Sequence, residues 1–190
     1  GGYFRIGSPR QHHTYYNYSS DWDPVADAAC FSQNDKGERL VATDNAGPGQ
    51  ICMTSPAARE KVLAKLKQYI ASDRQGEKPY PVIYDLSPND NDAKCVCPAC
   101  QALAERYGGN YAAPLLDFTN FIAREIRRDY PEVMIRTFAY LYALQPVPGL
   151  QLEPNVIIHL APMGLEFAQA RDTLKPLTAP ENAATAALLR

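Results

Sequence analysis

The stretch VIYDLSPNDNDAKCVCPAC, residues 82–100, is the part of the chain that decides how the rest is interpreted. It opens with an apolar run typical of a buried strand and then changes to a polar cluster over residues 87–92. Three cysteines follow before a helical pattern begins: Cys95, Cys97 and Cys100. In α/β proteins, functional groups lie at the carboxyl ends of strands. The polar cluster is therefore a candidate functional loop, although Asn, Asp, Ser and Pro also form ordinary turns.

Length, composition and charge narrow the class of protein. The chain has 190 residues, of which 46% are hydrophobic, enough for one domain with a buried core. A net charge of -2 without a basic block argues against nucleic acid as a partner. Because no run of about eighteen apolar residues occurs, we expect no membrane span. We interpret residues 1–190 as a single domain, a fragment of a larger catalytic domain, and the sequence gives no indication of its oligomeric state.

Apolar periodicity predicts alternating strands and helices. Helices are predicted over residues 56–70, 99–107, 114–129 and from 180 onward, and strands over 3–6, 50–53, 81–86, 133–140 and 155–160. This order predicts an α/β protein with a parallel sheet and helical crossovers. The strand count suits part of a (β/α)8 (TIM) barrel, which needs about 250 residues when complete. An open doubly wound sheet also fits, but no glycine-rich phosphate loop follows any strand.

Several short sequence motifs follow one another along residues 50–165, and their order matters as well as their composition. They are ICMTSP (51–56), LSPNDN (86–91) before the three cysteines, FTNFIA (118–123), TFAY (137–140) and PNVII (154–158). In this order they resemble glycoside hydrolase family 163, barrel enzymes of glycan-degrading bacteria long catalogued as a domain of unknown function. The resemblance implies endo-β-N-acetylglucosaminidase activity on complex N-glycans. It also implies an oligosaccharide partner and a secreted, periplasmic or cell-surface location in a bacterium.

Asp90 is the candidate catalytic carboxylate. Most glycosidases use a carboxylic acid to protonate the leaving oxygen, and some enzymes acting on N-acetylated sugars use the substrate's own acetamide as nucleophile. Asn89 would orient the acetamide and Tyr140, at the next strand end, would donate to its oxygen. Glu166 is a rival acid. The alternatives are that Asp90 caps the loop, Asn89 turns it, and Glu166 is an exposed carboxylate at a helix start.

Further candidates would bind the sugar: His13, Tyr15, Asn91, Tyr142 and His159. Tyrosine rings suit the flat faces of sugars but are also common half-buried residues, and His159 fits a core position equally well. The adjacent histidines His12 and His13 suggest a metal site. Since neighbouring residues of a strand point to opposite faces, at most one should face a given site. Asp85, inside a predicted strand, needs a charge partner, and Arg136 is the expected one.

The cysteines are expected to brace the loop and to perform no chemistry. Four of them could form a tetrahedral zinc site: Cys52, Cys95, Cys97 and Cys100. A secreted location would instead favour disulfides, and free thiols are the third alternative. Cys30 should lie outside the cluster. No cofactor is expected for catalysis itself.

Three functions remain open from the sequence. The first is a glycoside hydrolase acting on N-acetylglucosamine-containing glycans by substrate-assisted acid catalysis. The second is a non-catalytic carbohydrate-binding barrel of a polysaccharide-degradation system. The third is a cysteine-braced structural domain of a larger enzyme.

Overall fold

The computed structural model describes residues 5–161, which form a three-stranded parallel sheet with helices packed against it. The strands are β1 (Ser32–Gln33), β2 (Arg39–Leu40), β3 (Ile83–Asp85), β4 (Met134–Ala139) and β5 (Val156–Leu160). The α-helices are α1 (Tyr15–Ser19), α2 (Pro56–Asp73), α3 (Pro98–Glu105) and α4 (Ala112–Asp129), with single 3-10 turns at Ala28–Cys30 and Leu141–Ala143. None of the helices in this part of the chain has the length and apolar character needed to cross a membrane.

The main sheet has the order β3-β4-β5, and both pairs of neighbours are parallel. Ile6 adds a single parallel bridge to Ile83 on the free side of β3. The connection from β3 to β4 contains α3 and α4, whereas the connection from β4 to β5 contains only a 3-10 turn. The α/β class and the parallel sheet are thus confirmed. A helical crossover is present in one of these two connections, and a complete barrel is not shown.

The predicted strand at residues 50–53 does not belong to this sheet. Ile51 forms an antiparallel bridge with Phe31, and the Cys52 N–H donates to the Cys30 carbonyl at 2.8 Å. The place beside β3 is taken by Ile6. A short apolar run predicts a strand but carries no information about its partner, which explains the error.

The other predicted helices and strands between residues 56 and 160 lie close to their expected bounds. Of the strand predicted at residues 3–6, the structure shows only the bridge at Ile6, and residues 3 and 4 lie outside the described part of the chain. Helix α2 begins as its sequence indicates, because the Ser55 hydroxyl accepts a hydrogen bond from the Ala58 N–H and Pro56 occupies the first turn. Its apolar stripe is fully buried: Ala58, Val62, Leu66 and Ile70. The stripe packs towards α4, whose apolar face is also buried. The helix predicted from residue 180 lies outside the described residues.

The two faces of the sheet differ in chemistry because side chains alternate along each strand. Ile135 points to the face covered by α4 and is fully buried. Arg136, on the opposite face, pairs in register with Asp85. Its guanidinium donates twice to the Asp85 carboxylate, at 2.6 and 2.8 Å. The predicted ion pair is therefore present, and it is bidentate.

Removing Arg136 should destabilise the fold strongly. Arg136→Ala leaves the Asp85 carboxylate, whose side chain is only 2% exposed, without its partner. We expect the free energy of unfolding, measured by urea denaturation, to fall by about 3–5 kcal/mol. The control is Arg124→Ala, because the Arg124–Glu153 pair has a half-exposed arginine and should contribute less than about 1 kcal/mol. Equal losses in the two variants would contradict a structural role for the Asp85–Arg136 pair.

Candidate functional site

The segment after β3 stays buried up to residue 89 and reaches solvent at Asp90. The N-terminal part of the chain holds it there through its backbone. The Ser87 carbonyl accepts hydrogen bonds from the N–H groups of Thr14 and Tyr15, both at 3.1 Å. In return, the Ser87 N–H donates to the Thr14 hydroxyl at 2.9 Å. This reciprocal contact places the segment around residue 13 beside the carboxyl end of β3.

Asn89 fixes the loop from inside. Its side-chain oxygen accepts from the Tyr16 N–H and its NH2 group donates to the Gly49 carbonyl, both at 2.9 Å. The Gln50 side chain bonds to both backbone groups of Asn89, accepting from its N–H at 2.8 Å and donating to its carbonyl at 3.0 Å. Asn89 is 1% exposed. The structure therefore corrects the prediction for Asn89, whose buried amide holds the loop and is not presented to a substrate.

Asp90 points the other way, into an open pocket. Its side chain is 51% exposed, and its carboxylate accepts a hydrogen bond from the Tyr140 hydroxyl at 2.7 Å. Asp90 follows β3 and Tyr140 follows β4, so the ends of two neighbouring parallel strands meet here. The pocket has a volume of about 340 Å³ and is lined by His12, His13, Asp90, Phe138, Tyr140, His159 and Ala161. Four of the predicted site residues are thus brought together.

His13 lies beside Asp90 and is held in place by the loop. Its Nδ1 is 2.7 Å from the Pro88 carbonyl oxygen, and its Nε2 is 3.9 Å from an Asp90 carboxylate oxygen. The imidazole packs against Phe138 and Tyr140, with ring centroids 5.1 and 5.7 Å away. A carboxylate, an imidazole and two aromatic rings therefore share one small surface.

The charges in the pocket follow from these contacts. The hydrogen bond to the Asp90 carboxylate, together with partial burial, raises the pKa of Tyr140 to about 12. Burial and then the positive charge of Arg136 lower the pKa of His159. At neutral pH, Tyr140 is consequently a hydroxyl donor and His159 is uncharged.

The remaining predicted residues do not line this pocket. Tyr15 is fully buried and packs edge-on against Phe118 at 5.9 Å between centroids, so its assignment to sugar binding is wrong. The amide of Asn91 bonds to the Ala46 carbonyl and to the Gln50 side chain, which makes it a loop residue. Tyr142 packs against the hydrophobic core with its hydroxyl buried. Glu166 lies outside the described residues.

Three residues that line the pocket are not among the predicted site residues: His12, Phe138 and Ala161. Alternation along a strand predicts that His12 and His13 point to opposite faces. The segment bends at both histidines instead of forming a strand, and both side chains line the pocket. Phe138 was assigned only to an apolar strand, although it lies two residues after Arg136 and hence on the same face. That spacing was the signal available in the sequence.

The four predicted cysteines form a second site, buried next to the loop. Their Sγ atoms all lie within 4.8 Å of one another, and they are Cys52, Cys95, Cys97 and Cys100. All five cysteines of the chain are free thiols, and Cys30 lies outside the cluster, as expected. The predicted convergence is confirmed, although Cys52 arrives from the antiparallel bridge at Ile51 and not from a neighbouring parallel strand.

A helix dipole and one backbone N–H favour negative charge on the sulfur atoms, whereas contact between the thiols favours it on Cys52 at the expense of Cys100. Cys97 occupies the N-cap position of α3 and Cys100 lies in the first turn, where the helix dipole stabilises thiolates. The Gln33 N–H donates to the Cys95 sulfur at 3.3 Å. Hydrogen bonds from the thiols of Cys100 and Cys95 lower the pKa of Cys52, and the contact with Cys52 raises the pKa of Cys100. Four buried sulfur donors this close together can hold a metal ion.

Comparison with known proteins gives one match. Residues 7–184 match the model of a family described as a domain of unknown function, DUF4838. The chain belongs to this family. No curated protein and no solved structure matches the chain. In this DUF4838 domain, the matched region contains the sheet, the pocket around Asp90 and the cysteine cluster.

Asn89→Ala tests whether the buried amide holds the loop of the DUF4838 domain. The variant leaves the Tyr16 N–H and the Gly49 carbonyl without their buried partner. Each unsatisfied buried group costs roughly 1–3 kcal/mol, so we expect the free energy of unfolding in urea to fall by at least about 1–3 kcal/mol. An unfolding curve equal to that of the unmodified protein would contradict this role.

Proposed function

We propose that the DUF4838 domain is a glycoside hydrolase domain for N-acetylglucosamine-containing glycans and that the pocket around Asp90 is its active site. The observation that carries the proposal is the half-exposed Asp90 carboxylate at the carboxyl end of β3, oriented by the Tyr140 hydroxyl at 2.7 Å. Glycosidases use carboxylates next to the bond that breaks. Phe138 and the His13 ring add flat faces of the kind on which sugars stack.

A mechanism in which the substrate's own acetamide is the nucleophile suits this pocket better than one that uses two carboxyl groups of the protein. Asp90 is the one carboxylate among the pocket's lining residues in the described part of the chain. When the acetamide oxygen attacks the anomeric carbon, a single carboxylate can accept the acetamide N–H and stabilise the positive charge that develops. Asp90 would thus take the orienting role predicted for Asn89. The Tyr140 hydrogen is donated to Asp90, so Tyr140 would orient the carboxylate.

The substrate and the wider architecture follow from the resemblance to glycoside hydrolase family 163. We propose complex N-glycans as substrate, with cleavage as by an endo-β-N-acetylglucosaminidase, and a location outside the bacterial cytoplasm. We also propose that the parallel sheet is part of a (β/α)8 barrel. Two features support the barrel: the sheet has a polar face that carries Asp85 and Arg136, and the pocket lies at the carboxyl ends of its strands.

A carbohydrate-binding domain without catalysis is the second candidate. One observation favours it: most glycosidases need two carboxyl groups, and Asp90 supplies one in the described pocket. The two candidates differ in turnover and not in binding. Binding of a complex N-glycan without release of product would favour the binding domain.

Asp90→Asn tests whether Asp90 is the carboxylate that the proposed hydrolysis requires. In the full-length protein we expect turnover of a complex N-glycopeptide, followed by mass spectrometry, to fall at least about a hundredfold, because the charge next to the anomeric carbon is lost. Glycan binding should survive. The matched control is Asp92→Asn, two residues away and outside the pocket, which should keep its rate. Near-normal turnover in Asp90→Asn would make Asp90 a loop residue and leave Glu166 as the leading carboxylate.

For the cysteine cluster, we propose a structural zinc ion. A tetrahedral site with Zn–S bonds of about 2.3 Å has sulfur atoms about 3.8 Å apart. The Sγ atoms of Cys52 and Cys97 are 3.7 Å apart, which fits that spacing. All four cysteines are buried, so no position is open to substrate or water. The ion would join the segment at residue 52 to the start of α3 and would take no part in catalysis.

Metal analysis tests this site directly. We expect about one zinc per chain in protein purified under reducing conditions, and a loss of zinc in Cys97→Ser, because one thiolate ligand is removed. Hydrogen exchange should then rise in residues 87–97 before it rises in α2 or α4. Cys30→Ala, which changes a buried cysteine outside the cluster, should keep its metal. Protein that contains no zinc under these conditions contradicts the proposal.

A further inference from the structure

His13 has one ring nitrogen fixed and the other available. Its Nδ1 lies 2.7 Å from the Pro88 carbonyl oxygen. Because a carbonyl only accepts hydrogen bonds, Nδ1 must carry a hydrogen. In the uncharged imidazole, Nε2 then has the lone pair. The loop after β3 thus sets the tautomer of His13, and it selects the one whose Nε2 can accept a proton.

The available nitrogen faces the pocket beside Asp90. Nε2 is 3.9 Å from the Asp90 oxygen that also accepts the Tyr140 hydroxyl. This separation is too long for a direct hydrogen bond, so one substrate atom can approach both groups. The ring is confined by Phe138 and Tyr140, and the side chain is 25% exposed. Nε2 is consequently accessible from the pocket while the ring is prevented from turning.

We infer that His13 is the proton-transferring residue of this pocket, with Nε2 as the reacting atom and Asp90 as its charge partner. The inference rests on the proposed function and deepens it. In the first step, the Nε2 proton of the imidazolium moves to the glycosidic oxygen. The bond from that oxygen to the anomeric carbon breaks as the acetamide oxygen forms its bond there. In the second step, water adds to the anomeric carbon, the acetamide oxygen leaves, and Nε2 takes the proton from water.

The neighbouring groups are less suited to this transfer. Tyr140 already donates its hydrogen to Asp90, and its raised pKa keeps the hydroxyl protonated. Asp90 accepts that hydrogen bond on the same oxygen that lies nearest to Nε2 of His13. Burial and then the positive charge of Arg136 lower the pKa of His159 and so oppose its protonation. His12 is exposed, and its ring centroid lies 6.3 Å from that of Phe138, against 5.1 Å for His13.

The tautomer can be measured without any substrate. The chain contains only three histidines, so their side-chain nitrogen NMR signals can be assigned with the single variants His12→Gln and His159→Gln. We expect uncharged His13 to carry its hydrogen on Nδ1, as the bond to Pro88 requires. Signals showing the hydrogen on Nε2 overturn the inference, whatever the activity of the protein.

His13→Asn separates proton transfer from a structural role. The asparagine NH2 group can replace Nδ1 as donor to the Pro88 carbonyl, but the variant has no group in place of Nε2. We expect the melting temperature to stay within a few degrees, and turnover of a complex N-glycopeptide to fall at least about a hundredfold. Turnover within threefold of the unmodified protein overturns the inference and leaves the proposed function standing. An unmodified protein that binds the glycan and releases no product overturns both.

Discussion

The fold depends on the hydrogen bonds that satisfy the buried backbone immediately after β3. Residues 87–89 lie beyond the ladder between β3 and β4 but remain buried, so their backbone polar groups need other partners. Thr14 supplies partners to Ser87, and Gln50 supplies them to Asn89. Both come from segments far away in the sequence. The N-terminal segment and the segment around residue 50 therefore pack against β3 because the loop would otherwise have unsatisfied polar groups.

The need to bond this buried backbone also explains why the adjacent residues Asn89 and Asp90 have different roles. Asn89 turns inward, and every polar group of its side chain is used. Asp90 is left as the first exposed side chain, next to the end of β4, where Tyr140 can reach it. The cysteine cluster begins five residues later and anchors the far end of the same loop. A pocket with an exposed carboxylate is thus supported on one side by a hydrogen-bond network and on the other by a cluster of thiols.

The two sites of this DUF4838 domain have different chemical character. The pocket is open, aromatic and polar, with one carboxylate and three imidazoles, and it lies at the carboxyl end of the parallel sheet. The cysteine cluster is closed and buried, with all of its donors pointing at one another. Such a division is expected of a domain in which one site meets a ligand and the other stabilises the loop that presents it. Residues 87–97 link the two sites, because this stretch contains Asp90 of the proposed active site as well as Cys95 and Cys97 of the proposed zinc site.

The sequence by itself determined the α/β class, the stripe of α2, the Asp85–Arg136 pair and the meeting of four cysteines. These follow from local spacing, charge and strand ends, which a single chain displays directly. Tertiary structure alone decided that residue 51 pairs with Phe31, that Tyr15 enters the core, and that Asn89 turns inward while Asp90 turns outward. It also decided that His12 and His13 face the same pocket. The physical reason is that a polar or aromatic residue in an irregular loop takes its direction from distant hydrogen-bond partners, and no periodicity in the sequence specifies those partners.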